Sequence, residues 1–321
     1  MNSILEDIRL LGIVPVIALD DVDDALPLAK ALYDGGLPCA EVTFRTDAAE
    51  ESIIAMTKAY PDMIVGAGTV LTTEQVDRAI NAGAKFIVSP GFNPKIVSYC
   101  LSKDIPIVPG CSSPSDIEQA LEHGLDVVKF FPAEASGGLA KIKAMAAPYT
   151  GIKFMPTGGI NEKNINSYLD FNKVIACGGS WMVRKDLLKA KDFDGIRKLT
   201  EEAIQLMLGF ELKHVGINTK DEGEANSIAD TFVSIFGFNK NDGNSSIFAG
   251  SGIEVLKSPF LGEHGHIAIQ TNDVKRAIYH LSKKNIQVNM DTAKYDKCGN
   301  FIAVYLTKDI GGFAVHLLQK K

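Results

Sequence analysis

Two short apolar runs of this sequence contain charged side chains that could carry out chemistry. Glu41 and Arg45 lie in one run, and Lys129 lies in the other. Every second side chain of a β-strand points to the same face, which groups Glu41 with Arg45 and Lys129 with Phe131. A buried ammonium group is costly unless it is paired or loses its proton, and a neutral lysine amine is the nucleophile that Schiff-base chemistry requires.

These three side chains have complementary roles if the fold brings them together. The Glu41 carboxylate could transfer protons, and the Arg45 guanidinium could bind a substrate carboxylate through two parallel hydrogen bonds. The structural alternative is that Lys129 extends from a strand end into water and that Glu41 and Arg45 form a simple ion pair. Their coincidence on the interior faces of two predicted strands favours the chemical interpretation.

Two glycine pairs follow consecutive apolar runs. Residues 157–160 read Thr-Gly-Gly-Ile, and residues 177–181 read Cys-Gly-Gly-Ser-Trp. Glycine lets the backbone approach a ligand closely, and backbone N–H groups at such strand ends bind phosphate in barrel enzymes. A tight turn explains either pair alone, but two pairs at successive strand ends indicate a phosphate site.

Short apolar runs alternate with helical patterns over residues 12–181. Helical patterns such as residues 73–84 and 114–124 have glycine near their ends, as expected beyond a helix C-terminus. Eight strand–helix units predict an α/β protein with a (β/α)8 TIM barrel, and a doubly wound open sheet is the alternative. The eight apolar runs are residues 12–19, 40–45, 64–70, 86–91, 106–111, 127–133, 153–159 and 174–180.

The character of the sequence changes after an amphipathic helical pattern at residues 192–208. We therefore predict two domains, residues 1–208 and 209–321. In the second domain, the sequence His-Val-Gly-Ile-Asn-Thr from His214 matches His-Ile-Ala-Ile-Gln-Thr from His266, and a helical pattern follows each copy. The copies also end alike, at residues 253–256 and 315–318. A smaller α+β domain of two βαβββ repeats is the simplest interpretation, because neither copy could bury its apolar face alone.

The overall composition excludes several classes of protein. The chain has 321 residues and a net charge of -6, so it lacks the basic surface that nucleic acid requires. Its five cysteines are widely spaced and form no C-x-x-C pair, which is typical of reduced thiols. The N-terminus is acidic and no apolar run reaches membrane-spanning length, so we expect a cytoplasmic protein without a membrane partner.

Seven motifs of the first domain resemble the 2-keto-3-deoxy-6-phosphogluconate / 4-hydroxy-2-oxoglutarate aldolase family, over residues 1 to about 208. The motifs are residues 41–46, 65–69, 89–91, 109–110, 129–134, 156–160 and 178–181. The resemblance implies a class I aldolase that cleaves a 2-keto acid to pyruvate and an aldehyde. It also implies a homotrimer and a reaction that needs no cofactor.

The resemblance also implies a role for individual residues. Lys129 is the expected Schiff-base lysine and Glu41 the expected general acid and base. Arg45 and Thr69 are expected to contact the pyruvyl carboxylate region, Phe131 to pack beside the imine, and Pro90 to bind the substrate. The residues expected to bind phosphate are Gly158, Gly159, Gly179 and Ser180.

Two other functions compete with the aldolase. A phosphate-binding isomerase or epimerase would share the glycine pairs, but it would not need an interior lysine. The second alternative is a ligand sensor whose barrel is no longer catalytic and whose second domain binds a partner. In such a barrel we would not expect Glu41, Arg45 and Lys129 all to be retained, as they are here.

The second domain resembles the glyoxalase/bleomycin-resistance/dioxygenase (vicinal oxygen chelate) superfamily through its paired repeat. Metal ligands of that superfamily lie on the first and last strands of each repeat, which implies His214, Glu254, His266 and His316 here. Three imidazoles and a carboxylate suit a divalent ion such as Zn²⁺, Ni²⁺, Mn²⁺ or Fe²⁺. The alternative is a domain that has kept its shape without a metal.

Overall fold

The computed structural model describes residues 1–320 and divides into two compact units, Met1–Met207 and a second unit that begins at Leu208. Each unit has its own sheet system. None of the helices in the described chain is long and apolar enough to cross a membrane.

The first unit alternates strands with helices. Its strands within the described chain are β1 (Ile13–Ile17), β2 (Cys39–Thr43), β3 (Ile64–Gly68), β4 (Ile87–Ser89), β5 (Ile107–Pro109), β6 (Val127–Phe130), β7 (Lys153–Pro156) and β8 (Cys177–Gly179). Its helices over the same residues are α1 (Ser3–Leu11), α2 (Ala25–Asp34), α3 (Ala49–Ala59), α4 (Thr73–Asn81), α5 (Pro94–Ser102), α6 (Pro114–Glu122), α7 (Gly138–Ala146), α8 (Ile165–Leu169), α9 (Lys185–Lys189) and α10 (Phe193–Leu208).

Local sequence signals set the ends of these helices. In α6, Ser113 and Asp116 form a reciprocal capping box and Pro114 occupies the first turn. Helix α1 ends at Gly12, whose left-handed φ of 76° lets the chain turn directly into β1. Such signals explain why the strand–helix alternation could be predicted from the sequence.

The parallel strands close into a ring, which confirms the predicted (β/α)8 barrel. Six strands pair in the order β5-β4-β3-β2-β1-β8, and β6 pairs with β7. Parallel bridges join the two groups, from Gly110 to Lys129 on one side and from Thr157 to Gly178 on the other. The doubly wound alternative is excluded because an open sheet would leave two free edges.

The second unit contains the two βαβββ repeats that the sequence predicted. The first repeat is β9 (Glu211–Ile217), α11 (Glu222–Phe236), β10 (Lys240–Asp242), β11 (Ser246–Ala249) and β12 (Ile253–Leu256). The second repeat is β13 (Gly265–Thr271), α12 (Val274–Ser282), β14 (Val288–Tyr295), β15 (Phe301–Leu306) and β16 (Phe313–Gln319).

The first and last strands of each repeat are neighbours at the middle of one sheet. The strand order is β10-β11-β12-β9-β13-β16-β15-β14. β9 pairs in parallel with β12, β13 pairs in parallel with β16, and the repeats meet through the antiparallel pair β9 and β13. The strands that carry the predicted metal ligands are therefore adjacent.

Candidate active site and candidate metal centre

The barrel interior brings Lys129 of β6 and Glu41 of β2 into contact. The Lys129 Nζ atom lies 3.3 Å from the Glu41 Oε1 atom. Glu41 is fully buried and Lys129 is only 5% exposed, so the lysine does not extend into water as the structural alternative required. The Lys129 amine is therefore paired with a carboxylate and shielded from solvent, which is an environment suited to an attacking nucleophile.

The second oxygen of Glu41 is buried without a partner. Glu41 Oε2 accepts no hydrogen bond within residues 1–320. A buried acceptor left unpaired costs free energy, and such atoms concentrate at functional sites. This oxygen is available to a substrate hydroxyl or to water.

Gly68 on the neighbouring strand β3 makes room for this carboxylate. A Cβ atom added at Gly68 would lie 2.3 Å from Glu41 Oε1, closer than any van der Waals contact allows. The missing side chain thus explains why glycine occupies this position next to the Lys129–Glu41 pair.

Arg45 and Thr69 lie beyond the ends of their strands. β2 ends at Thr43, and Arg45 follows in an exposed turn where its Nε atom donates to Thr43 Oγ1 at 3.0 Å. Arg45 is therefore not an interior strand residue, and in the described chain Glu41 pairs with Lys129 rather than with Arg45. Thr69 follows β3 with a left-handed φ of 57°, which is rare for a β-branched residue and is typical of functional sites.

Phe131 and Pro90 also follow strand ends. Phe131 comes directly after β6, is 39% exposed, and has its ring centroid 5.3 Å from Lys129 Nζ. Pro90 follows β4, and its carbonyl oxygen would lie 2.0 Å from a Cβ atom at Gly110. Gly110 therefore lets the end of β5 approach Pro90 closely.

The two glycine pairs lie after β7 and at the end of β8, as the sequence predicted. Gly158 and Gly159 have φ values of 101° and 82°, which only glycine adopts readily. Gly179 is buried beneath the Trp181 ring, since a Cβ atom there would lie 2.0 Å from a ring carbon. Ser180 is exposed.

Thr157 is a polar residue of this site that sequence reasoning had not assigned. Its side chain is buried, and its Oγ1 atom has no hydrogen-bond partner within the described chain. Gly178 makes room for it, because a Cβ atom at Gly178 would lie 2.3 Å from this oxygen. The only sequence signal for a role of Thr157 was its position within the motif at residues 156–160.

The second unit brings all four predicted metal ligands together in what we call the histidine cluster, which consists of His214, Glu254, His266 and His316. One ligand nitrogen from each histidine lies within 4.8 Å of the others. Glu254 Oε2 lies 3.1 Å from Nε2 of His214 and 3.1 Å from Nε2 of His266. The three histidines are buried.

Strand register explains this convergence. Gly216 of β9 pairs with His266 on one side and with Glu254 on the other. Ala268 of β13 likewise pairs with His214 and with His316. Position 216 requires glycine, because a Cβ atom there would lie 2.1 Å from the His266 ring. Two small residues thus lie between the four predicted metal ligands.

Electrostatics favour a neutral imidazole and a charged carboxylate in the histidine cluster. Burial, reinforced by His266 and His214, lowers the pKa of His316 to about 3. Burial opposes ionisation of Glu254, but hydrogen bonds from His214, His266 and Ser246 outweigh it and hold the pKa of this carboxyl well below its ordinary value. His316 Nε2 and His266 Nδ1 have no hydrogen-bond partner among residues 1–320. A neutral His316 imidazole with an unpartnered Nε2 atom and a charged Glu254 carboxylate are suitable ligands for a divalent ion.

Tyr305 of β15 borders the histidine cluster and was not found from the sequence. Its ring stacks on His316 with a centroid distance of 4.7 Å and an interplanar angle of 14°. Burial and the Glu254 charge raise the pKa of Tyr305 to about 12, so its hydroxyl is protonated. Tyr305 lies directly opposite His316 in the register of β15 and β16, which no sequence pattern indicated.

Comparison with known proteins places the first unit in an enzyme family. The family model for KDPG and KHG aldolase matches residues 4–199. The 2-dehydro-3-deoxy-phosphogluconate aldolase of Treponema pallidum is 49% identical over 207 residues, which cover 64% of this chain and 99% of that protein. The KHG/KDPG aldolase of Escherichia coli K12 is 43% identical and is aligned over 60% of this chain and 91% of its own length.

Solved structures resemble the same region. The KDPG aldolase of Legionella pneumophila, captured with pyruvate as a covalent carbinolamine intermediate, superposes with a TM-score of 0.60 and 37% identity. The alignment covers 62% of this chain and 97% of that one. The KDPG aldolase of Zymomonas mobilis ZM4 with 3-phosphoglycerate gives a TM-score of 0.59 and 39% identity, over 63% of this chain and 93% of that one.

Proposed function

Since the chain belongs to the KDPG and KHG aldolase family, we propose that its barrel is a class I aldolase with Lys129 as the Schiff-base residue. Its substrates are 2-keto-3-deoxy-6-phosphogluconate, which yields pyruvate and glyceraldehyde 3-phosphate, and 4-hydroxy-2-oxoglutarate, which yields pyruvate and glyoxylate. The observation that carries this proposal is the buried contact of 3.3 Å between the Lys129 amine and the Glu41 carboxylate.

The reaction begins at the Lys129 amine. Its lone pair attacks the C2 ketone of the substrate, and the resulting carbinolamine loses water to give a protonated imine. The imine accepts the electron pair of the C3–C4 bond as that bond breaks, and an enamine of pyruvate forms. Protonation at C3 and hydrolysis of the imine release pyruvate and regenerate the amine. The protonated imine itself serves as the electron sink, so the lyase reaction needs no metal.

Glu41 moves the protons in this sequence. It takes a proton from the Lys129 ammonium, which frees the amine lone pair, and gives that proton to the departing hydroxyl of the carbinolamine. It then accepts the proton of the C4 hydroxyl as the aldehyde forms, and it returns this proton to C3 of the enamine. Its unpartnered Oε2 atom supports this role, because a free acceptor beside the amine is where a substrate hydroxyl or a bridging water would bind. A phosphate-binding isomerase would have no use for this pair.

Arg45, Thr69, Pro90 and Phe131 bind the pyruvyl end of the substrate. They follow the strands β2, β3, β4 and β6 at the carboxyl ends, where barrel enzymes bind their ligands. The Arg45 guanidinium is exposed and pairs with no carboxylate within the described chain, so it can bind the substrate carboxylate. Phe131 packs beside the imine.

Gly158, Gly159, Gly179 and Ser180 bind the phosphate of the phosphorylated substrate. Gly158 and Gly159 follow β7, Gly179 is the last residue of β8 and Ser180 comes directly after it. Backbone N–H groups at these strand ends commonly bind phosphate in barrels. The left-handed φ values of Gly158 and Gly159 support this role, since they let the backbone turn its amides toward a ligand.

The second unit is a glyoxalase-like (vicinal oxygen chelate) domain that holds one divalent metal. Its βαβββ repeats and the convergence of His214, Glu254, His266 and His316 support this assignment. The competing function is a metal-free binding module, in which Glu254 merely joins two histidines by hydrogen bonds. The unpartnered His316 nitrogen favours the metal. A bound divalent ion would act as a Lewis acid on an oxygen ligand.

The family resemblance also suggests a cytoplasmic homotrimer built through the barrel. We expect light scattering of the full chain to give three times the 34.6-kDa chain mass. A mass of one or two chains would contradict the trimer but not the aldolase.

Borohydride reduction in the presence of pyruvate should attach the pyruvyl carbons to Lys129, because an imine is reduced to a stable secondary amine. Peptide mass spectrometry would locate the adduct. Lys129→Ala should lose both the adduct and cleavage, whereas Lys153→Ala, on the neighbouring strand β7, should keep both. An adduct on another lysine would contradict the mechanism.

Glu41→Gln should slow cleavage of both substrates by roughly 10²–10⁴-fold, the usual cost of a lost general acid and base. The measurement is kcat by coupled detection of pyruvate, and Glu51→Gln on the exposed face of α3 is the control. Unchanged turnover would make Glu41 a structural residue.

Ser180→Ala should raise KM for the phosphorylated substrate more than KM for 4-hydroxy-2-oxoglutarate, which has no phosphate. Ser102→Ala, at an exposed residue of α5, should change neither value. Equal effects of Ser180→Ala on both substrates would remove this residue from the phosphate site.

Elemental analysis of the purified full chain should find about one divalent ion per chain, and a chelator should remove it without changing aldolase activity. The double variant His214→Ala, His266→Ala should contain none, whereas His264→Ala, at an exposed histidine of the same unit, should keep it. Equal metal contents in all three proteins would reduce the second unit to a metal-free module.

A further inference from the structure

The segment after β6 is joined to the turn after β7 by two backbone hydrogen bonds. Ala133 N donates to Thr157 O at 2.8 Å, and Glu134 N donates to Gly158 O at 3.0 Å. The pairing of β6 with β7 thus continues past both strands. Any shift of residues 133–134 must therefore move the turn that contains Gly158 and Gly159.

The Glu134 side chain packs directly on this turn. A Cβ atom added at Gly159 would lie 2.6 Å from Glu134 Cγ and 2.7 Å from Glu134 Cβ. The stem of Glu134 therefore occupies the space that a side chain at Gly159 would need. Glycine is required at this position both for its φ of 82° and for this contact.

A buried tyrosine fixes the other end of the Glu134 side chain. The Tyr168 hydroxyl of α8 donates a hydrogen bond to Glu134 Oε1. Tyr168 is 2% exposed, whereas Glu134 is exposed. Burial and the bond to Glu134 raise the pKa of Tyr168, so the phenol keeps its proton and remains a donor.

The N-terminus of α7 completes this arrangement. Gly138 lies close to both partners, since a Cβ atom there would be 3.1 Å from Glu134 Oε1 and 3.1 Å from the Tyr168 hydroxyl. A carboxylate held in this way has one preferred position.

We propose that Tyr168 and Glu134 are positioning residues that hold the Gly158–Gly159 turn in its phosphate-binding conformation, and thereby set the preference for phosphorylated over unphosphorylated substrates. The inference rests on the phosphate site proposed above. Neither residue touches the reacting carbons. Their effect reaches the substrate through two backbone hydrogen bonds and one packing contact, so it should fall on phosphate binding rather than on imine formation.

The test compares steady-state kinetics of 2-keto-3-deoxy-6-phosphogluconate and 4-hydroxy-2-oxoglutarate in single variants. Tyr168→Phe and Glu134→Ala should each raise KM for the phosphorylated substrate about tenfold, the size of effect expected when one hydrogen bond to a charged group is lost. KM for 4-hydroxy-2-oxoglutarate and kcat for both substrates should change by less than about twofold, which is well below the effect of losing one hydrogen bond to a charged group. Borohydride trapping of pyruvate on Lys129 should be unaffected, because pyruvate has no phosphate.

Two control variants separate this role from general loss of packing. Glu134→Gln keeps an oxygen that accepts from Tyr168 and should behave like the unaltered protein. Tyr149→Phe removes a second tyrosine–glutamate hydrogen bond of the barrel, from Tyr149 to Glu118 at 2.9 Å, and should change neither KM. If Tyr168→Phe yields too little folded protein, Glu134→Ala carries the test alone, because Glu134 is exposed.

Ser180→Ala, measured in parallel, distinguishes the possible failures. If Ser180→Ala discriminates between the substrates but Tyr168→Phe and Glu134→Ala affect both equally, the pair is only structural and the inference is overturned while the phosphate site stands. If none of the three variants discriminates, the phosphate site and this inference are both wrong.

Discussion

A buried contact between a lysine and a glutamate at the centre of the barrel is the constraint on which the candidate active site depends. Lys129 and Glu41 are 88 positions apart in the chain, and only the closing of the parallel ring brings them within 3.3 Å. Removing two charges from water is expensive, so the pair persists only where the surrounding structure fixes both partners. The barrel does so by carrying each on a different strand, β6 and β2, with apolar side chains on the outer face.

The hydrogen-bonding capacity of the Lys129–Glu41 pair is not fully used. One Glu41 oxygen contacts the lysine, while the other has no hydrogen-bond partner in the part of the chain described. An interior that served stability alone would fill this position with an apolar side chain or complete the network. In the mechanism proposed above, the substrate or its water provides this missing bond.

Missing side chains create the space for functional groups in both units. Gly68 makes room for Glu41, Gly159 for Glu134 and Gly178 for Thr157. Gly216 does the same for His266 in the second unit. In each case the glycine and the functional side chain lie on neighbouring segments, so the space arises from tertiary packing.

Local sequence patterns were enough to predict the order of the elements and the types of side chain at the two candidate sites. Apolar runs, helix caps and the internal repeat depend on local patterns, so the eight-stranded barrel and the two βαβββ repeats could be predicted from them. The interior face of Lys129 and the paired positions of His214 and His266 followed from strand alternation and repeat alignment. Contacts between distant segments could not be predicted in this way. Three contacts depend on strand register and on where the strands end, which are properties of the tertiary structure. They are the pairing of Glu41 with Lys129 rather than Arg45, the stacking of Tyr305 on His316 and the hydrogen bond from Tyr168 to Glu134.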